Sequence, residues 1–270
     1  MLITIGPGDD SVQRLPDTCY DERERMIFVY LDLLKIDPFA AVVLFGALAS
    51  ALVAGISFHE FSHAYVADLL GDGLPRSRGR VTLNPLAHLD PAGTLLLFVV
   101  GFGWGKPVQV NPGASRNPKA ALALVAGAGP LSNFAVASVA GLPLKLGLVP
   151  WLPPFNVNVI DSLIRGGWSA DDYLGLYLSA IVLISIILGV FNLIPIAPLD
   201  GHRVVPAFLP DAAANDYMRF QSRYGFAILI ALIALPFLTG GQFGILFEAM
   251  SPIINALVRL LAGAHGNVFG

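Results

Sequence analysis

Four long intervals of the chain carry no Asp, Glu, Lys or Arg: Pro38–Phe58, Ala120–Leu144, Tyr173–Leu199 and Tyr224–Phe247. Their apolar residues recur without the polar face of a surface helix, so each element is predicted to be apolar all round and solvated by lipid. A helix needs about twenty such residues to cross the hydrocarbon core, and each interval is long enough. Pro236 and Thr239-Gly240-Gly241 break the last one, which predicts that its helix stops near Leu238. Phe243–Ala262 is a fifth candidate, and Glu248 and Arg259 leave it either spanning or lying on the surface as an amphipathic helix. Met26–Ile36 is apolar but short, and with Asp32 and Lys35 it reads as an interfacial helix. Pro91–Gly105 is uncharged but too short to span, which leaves a re-entrant hairpin or an ordinary buried loop. The predicted fold is an all-α, multi-pass bundle of four to six membrane helices. Residues 1–37 form an N-terminal segment and 38–263 one embedded domain.

Composition agrees with this pattern. Of 270 residues, 55% are hydrophobic and 13% charged, against roughly 25% charged in soluble domains, and the mean hydropathy is +0.70. A net charge of −3 with no basic cluster gives no reason to expect nucleic acid as a partner. The single cysteine, Cys19, excludes an internal disulfide and a four-cysteine zinc site. Residues 1–25 mix acidic and basic side chains with no apolar core, so no signal peptide is expected and a prokaryotic inner membrane is the expected location.

Chemistry enters at the end of the first apolar interval, where His59-Glu60-Phe61-Ser62-His63 follows Phe58. Residues four apart share a helix face, so His59 and His63 can grip one metal ion. Glu60 beside them is placed to act as general base toward a water. A hydrolytic zinc site needs three protein ligands and one open position. The best third ligand is Asp200, in the strip Asn192-Leu-Ile-Pro195-Ile-Ala-Pro198-Leu-Asp200-Gly201, because it returns the chain to the same membrane depth. The two prolines predict unwinding there, and an extended strip can pair with an extended substrate. Asp200 can instead cap a loop or pair with Arg203, and His202 is a rival ligand. His88 and Asp90 either hold a local turn before Pro91 or lie over the metal.

Several segments together resemble the site-2 protease family: His59 to Tyr65, Asn84-Pro85-Leu86-Ala87-His88-Leu89-Asp90-Pro91 and Gly103-Trp104-Gly105-Lys106-Pro107. Gly127-Ala-Gly129-Pro130-Leu-Ser-Asn133 and Asn192…Pro195…Pro198-Leu-Asp200-Gly201 follow in the family's order. The resemblance covers roughly residues 38–240. It implies intramembrane zinc proteolysis with one Zn²⁺ on His59, His63 and Asp200 and with Glu60 as base. It also implies that Asn133 and Asn192 orient substrate, although Gly127, Gly129, Pro130 and Asn133 can equally serve helix packing.

The expected partners are a transmembrane protein substrate and the lipid bilayer. A non-proteolytic zinc-binding membrane protein or transporter is the alternative. No internal repeat of the kind found in carriers is visible, however, and no polar domain exists for a tethered soluble protease. Lys and Arg orient the chain. Arg76, Arg78, Arg80, Lys106, Arg116 and Lys119 lie in one segment and Arg203, Arg219 and Arg223 in another, whereas Lys145–Asp172 holds only Lys145 and Arg165. The two basic segments, and the active site with them, are expected on the cytoplasmic side.

Overall fold

The computed structural model describes residues 33–90, 105–239 and 244–264. They are helical, with no strand among them beyond one isolated antiparallel bridge, Leu89 to Gly105. Five helices are long and apolar enough to cross a membrane.

Helix α1 (Pro38–Leu69) opens on Asp37, whose carboxylate accepts from the Phe39 and Ala40 N–H groups at 2.9 and 3.1 Å, with Pro38 in the first turn. The helix does not end at Phe58: the apolar span and His59–His63 are one continuous 32-residue helix. At 1.5 Å per residue the motif lies about 30 Å from Pro38, close to the thickness of the hydrocarbon core. Helix α2 (Pro118–Lys145) is capped by Asn117 and contains Pro130 and Pro143. Helix α3 (Ala170–Asn192) starts with a Ser169–Asp172 capping box. These two agree with the expected spans, except that α3 stops at Asn192, short of Leu199. Helix α4 (Asp211–Phe220) continues through a π-turn, Gln221–Gly225, into α5 (Phe226–Leu238), which ends where the Pro236 and glycine signals predict. The fourth span therefore begins at Asp211 rather than Tyr224. Helix α6 (Ile245–Ala262) is the fifth candidate. Of the expected interfacial helix only 33–36, and of the Pro91–Gly105 segment only Gly105, fall within the described residues.

Helices α1, α2 and α3 pack against one another, and α6 lies on α2 and α3. The α1 face toward the core is small: Ala40, Ala47 and Ala51 are fully buried, spaced so that they share one side. Without a hydrophobic drive between helices in lipid, such small residues let backbones approach closely. Leu176, Leu183 and Ile186 fill the centre from α3, and Ile254 and Val258 close the α6 side.

Polar ties gather the functional loops at one end. The Asp72 carboxylate accepts from Leu74 and Asn111 N–H, and Lys119 Nζ donates to Asp211 Oδ1 at 3.1 Å. The end of α1, the start of α2, the end of α3 and the start of α4 thus share one side. At the other end, Lys145 Nζ donates to the Leu260 carbonyl at 2.7 Å.

Candidate metal centre

His59 and His63 stand on consecutive turns of α1 and are buried. Asp200 reaches them from the turn-rich stretch after α3. Asp200 Oδ2 is 2.9 Å from His59 Nε2 and 3.2 Å from His63 Nε2, and the two Nε2 atoms are 3.0 Å apart. About 2.0–2.2 Å from a metal to each ligand in a tetrahedron gives ligand–ligand edges of ~3.3 Å, so this triangle has the size of one face of a zinc site. These three form the one metal-capable His/Cys/Asp/Glu group among the described residues.

The protonation pattern points the same way. His63 Nδ1 lies 2.6 Å from the Val125 carbonyl of α2. A carbonyl only accepts, so Nδ1 carries the proton and, in the neutral ring, Nε2 presents a bare lone pair. That lone pair faces a carboxylate oxygen and a second imidazole nitrogen, a convergence of acceptors that a cation resolves. Asp200 turns one carboxylate oxygen toward both of these nitrogens, the arrangement a metal ligand would need.

Gly129 explains how α2 comes so close. A Cβ there would sit 2.5 Å from His63 Nε2 and 2.7 Å from His59 Cε1, whereas one at Gly127 would meet nothing within 4 Å. Of the two motif glycines, only Gly129 gives the imidazoles their room. Gly129→Ala is expected to displace both rings and lower zinc affinity by roughly tenfold or more, read by competition with a chromogenic chelator. Wild-type affinity would show that α2 yields instead.

Asn133, one turn further on, is completely buried, with its amide nitrogen 3.1 Å from His59 Nδ1 and its Oδ1 without a partner. A half-turn of the amide exchanges the two atoms. It gives His59 Nδ1–H an acceptor and leaves Nε2 bare, the tautomer that ligation requires, while the NH2 group takes the partnerless place. Asn192 behaves differently: its amide donates to the Leu188 carbonyl of its own helix at 2.9 Å.

The strip after Asn192 is coiled rather than extended. Ile196 N–H bonds the Ile194 carbonyl and Leu199 N–H the Ile196 carbonyl. Gln221, buried in the π-turn, accepts from Ala197 N–H and donates to the Pro195 carbonyl, each at 2.9 Å, and the Tyr217 hydroxyl donates to the same carbonyl. At Pro195 and Ala197 the strip is thus already paired, unlike the open edge its prolines suggest. Gly201 allows the turn to close, because a Cβ would fall on the Leu193 and Ile194 carbonyl oxygens.

The rival groups lie outside the metal-capable group among the described residues. His202 Nδ1 bonds the Leu199 carbonyl. His88 Nε2 bonds the Thr82 carbonyl at 2.7 Å, the local-turn arrangement, and Asp90 is likewise outside the metal-capable group.

The sequence profile of peptidase family M50 matches residues 47–233, which contain all of these groups. The chain belongs to peptidase family M50. Among relatives, YwhC of Bacillus subtilis (strain 168), which carries the name of a zinc metalloprotease, is 34% identical over 189 residues, covering 70% of this chain and 80% of that protein. Rip2 of Mycolicibacterium smegmatis, named likewise, is 28% identical over 222 residues, covering 78% and 76%. A Mycobacterium tuberculosis Rip2 is 27% identical over 218 residues, with the same coverage. No solved structure matches the chain. As an M50 member with five membrane-length helices, the protein is an intramembrane zinc metalloprotease.

Two residues beside the centre carry no warning in the sequence. Arg80 is one of several basic residues in a loop, and Gln221 a lone amide in a polar stretch; no periodicity links either to the motif.

Proposed function

We propose that His59, His63 and Asp200 hold the zinc and that Glu60 is the general base for hydrolysis of a peptide bond in an unwound transmembrane segment. The observation that carries this reading is the 2.9–3.2 Å triangle of His59 Nε2, His63 Nε2 and Asp200 Oδ2 at the end of a membrane-length helix. When bound, zinc supplies Lewis acidity that lowers the pKa of water and polarises a carbonyl. Glu60, next to His59 and half-buried, takes the proton from the water and returns it to the leaving amine. Asp200 supplies negative charge to the metal, and the Val125 carbonyl keeps His63 in its ligating tautomer. Asn133 does the same for His59, which makes it a support of the metal rather than a substrate contact. Asn192, turned onto its own helix, would reach a substrate only after releasing the Leu188 carbonyl.

The basic segments favour a site opening toward the cytoplasm. Both lie at the end that carries Asp200, joined by the Lys119–Asp211 pair. A helical substrate shields its peptide bonds, so the substrate segment must unwind before Glu60 can deliver water to it. Candidates are single-span proteins whose helix is interrupted by helix-destabilising residues.

The purified chain in detergent is expected to hold a single zinc and to cleave a synthetic transmembrane peptide. Zinc without cleavage of any such peptide would favour a non-proteolytic zinc-binding role, and absence of zinc would break the proposal. Asn133→Ala is expected to weaken zinc binding about 10- to 100-fold. Unchanged zinc affinity with a raised KM would return Asn133 to a substrate-orienting role.

A further inference from the structure

Arg80 is buried, at 7% exposure. A guanidinium cannot shed its charge, and burying one is costly unless it is paired and hydrogen-bonded. Its two terminal nitrogens donate to the carbonyls of Ala87 and Lys106. Both carbonyls are neutral and leave the charge unbalanced. The carboxylate that balances it is Glu60, whose Oε2 is 3.9 Å from an Arg80 terminal nitrogen; among the described residues Arg80 makes no other ion pair.

The two carbonyls mark the ends of one segment. Leu89 and Gly105 form the antiparallel bridge, and Lys106 N–H bonds the His88 carbonyl at 2.7 Å. Arg80 therefore binds the chain on both sides of this bridge and faces α1 at the same time. Gly105 completes the enclosure: a Cβ there would meet Ile56 at 3.2 Å and Glu60 Oε1 at 3.5 Å. One carboxylate oxygen of Glu60 thus faces the side of Gly105 where a Cβ would project, and the other faces Arg80. The guanidinium is not saturated by these contacts, since its Nε is buried without a hydrogen-bond partner. A purely structural arginine would be expected to use that donor on the protein.

We infer that Arg80 is a positioning residue for Glu60: it aims the carboxylate and makes that aim depend on the bridged ends of the 89–105 segment being in place. The inference rests on Glu60 being the base. A carboxylate on a rotatable side chain has several rotamers open to it, and proton transfer needs it within hydrogen-bond reach of one water. The guanidinium near one oxygen, and at the other a space that only a glycine at position 105 leaves open, favour one direction.

The test uses the full chain, zinc-loaded in detergent, with a synthetic transmembrane peptide and separate determination of kcat and KM. Arg80→Met is expected to lower kcat about 100-fold with KM and zinc content near wild type. Arg80→Lys is expected to restore about tenfold of that loss, because an ammonium can pair with Glu60 but cannot hold both carbonyls in Arg80's fork. Arg80→Lys is then combined with Glu60→Asp, a variant that keeps a base but retracts it. The double variant is expected to lose less than the product of the two single losses, as coupled residues do. Wild-type kcat in both Arg80 variants, multiplicative losses in the double variant, or a kcat loss matched by loss of zinc or of thermal stability would each overturn the inference. Full turnover by Glu60→Gln is a separate result, which would remove Glu60 itself as the base.

Discussion

Glu60→Gln is expected to lower peptide cleavage by about 10³- to 10⁴-fold while a single zinc stays bound. The substitution keeps the size and one acceptor oxygen of the side chain but removes its basicity, and general acid–base catalysis is worth about 10²–10⁴ in rate. The upper part of that range applies because in the proposed mechanism Glu60 serves twice, taking a proton from water and giving it to the amine. Zinc retention is expected because Glu60 is outside the metal-capable triangle, and its pairing with Arg80 at 3.9 Å points it away from a ligating role. Metal analysis and peptide cleavage on the same preparation decide the matter. Undiminished turnover would remove the carboxylate from the base role, and loss of zinc would make Glu60 part of the metal's support.

Asp200→Ala is expected to lose the metal first and activity as a consequence. Structural zinc sites bind with apparent free energies of about 10–16 kcal/mol, so one of four ligand positions is worth roughly 3 kcal/mol, on the order of 10²-fold in affinity. The remaining pair, His59 and His63, would also lose the carboxylate oxygen that lies 2.9 and 3.2 Å from their rings. Titration with a competing chelator should show this weakening, and excess zinc should recover only part of the cleavage. Full occupancy at wild-type affinity would mean that another side chain completes the centre. His202 is poorly placed for that, because it lies outside the metal-capable group among the described residues.

The membrane fold and the metal pair were legible in the chain because both rest on local rules. Charge-free length identifies a span whatever surrounds it, and a spacing of four puts His59 and His63 on one face of any helix. The place of Asp200 beside the two histidines was reachable by a slightly longer step, since membrane depth restricts which residues can meet them. Boundaries were less secure where tertiary contacts decide them. Helix α4 starts at Asp211, anchored by Lys119 from α2, and no apolar run announces it. The stretch after Asn192 reads as extended from its prolines, yet turns within it and the buried Gln221 amide coil it and occupy its backbone.

Three features were decided only when the helices came together. Gly129 looks like any packing glycine until α2 lies against the two imidazoles. Nothing in the sequence brings Asn133 to His59, yet its amide lies on His59 Nδ1. Arg80 is one charge in a basic loop until it is buried beside Glu60. The sequence by itself determined the elements, the metal-capable histidine pair and the chemistry class, because periodicity, charge-free length and ligand type act over a few neighbouring residues. The tertiary structure alone decided which groups lie against His59, His63 and Glu60, because hydrogen bonds and charge pairing between distant segments depend on distances that no local pattern encodes.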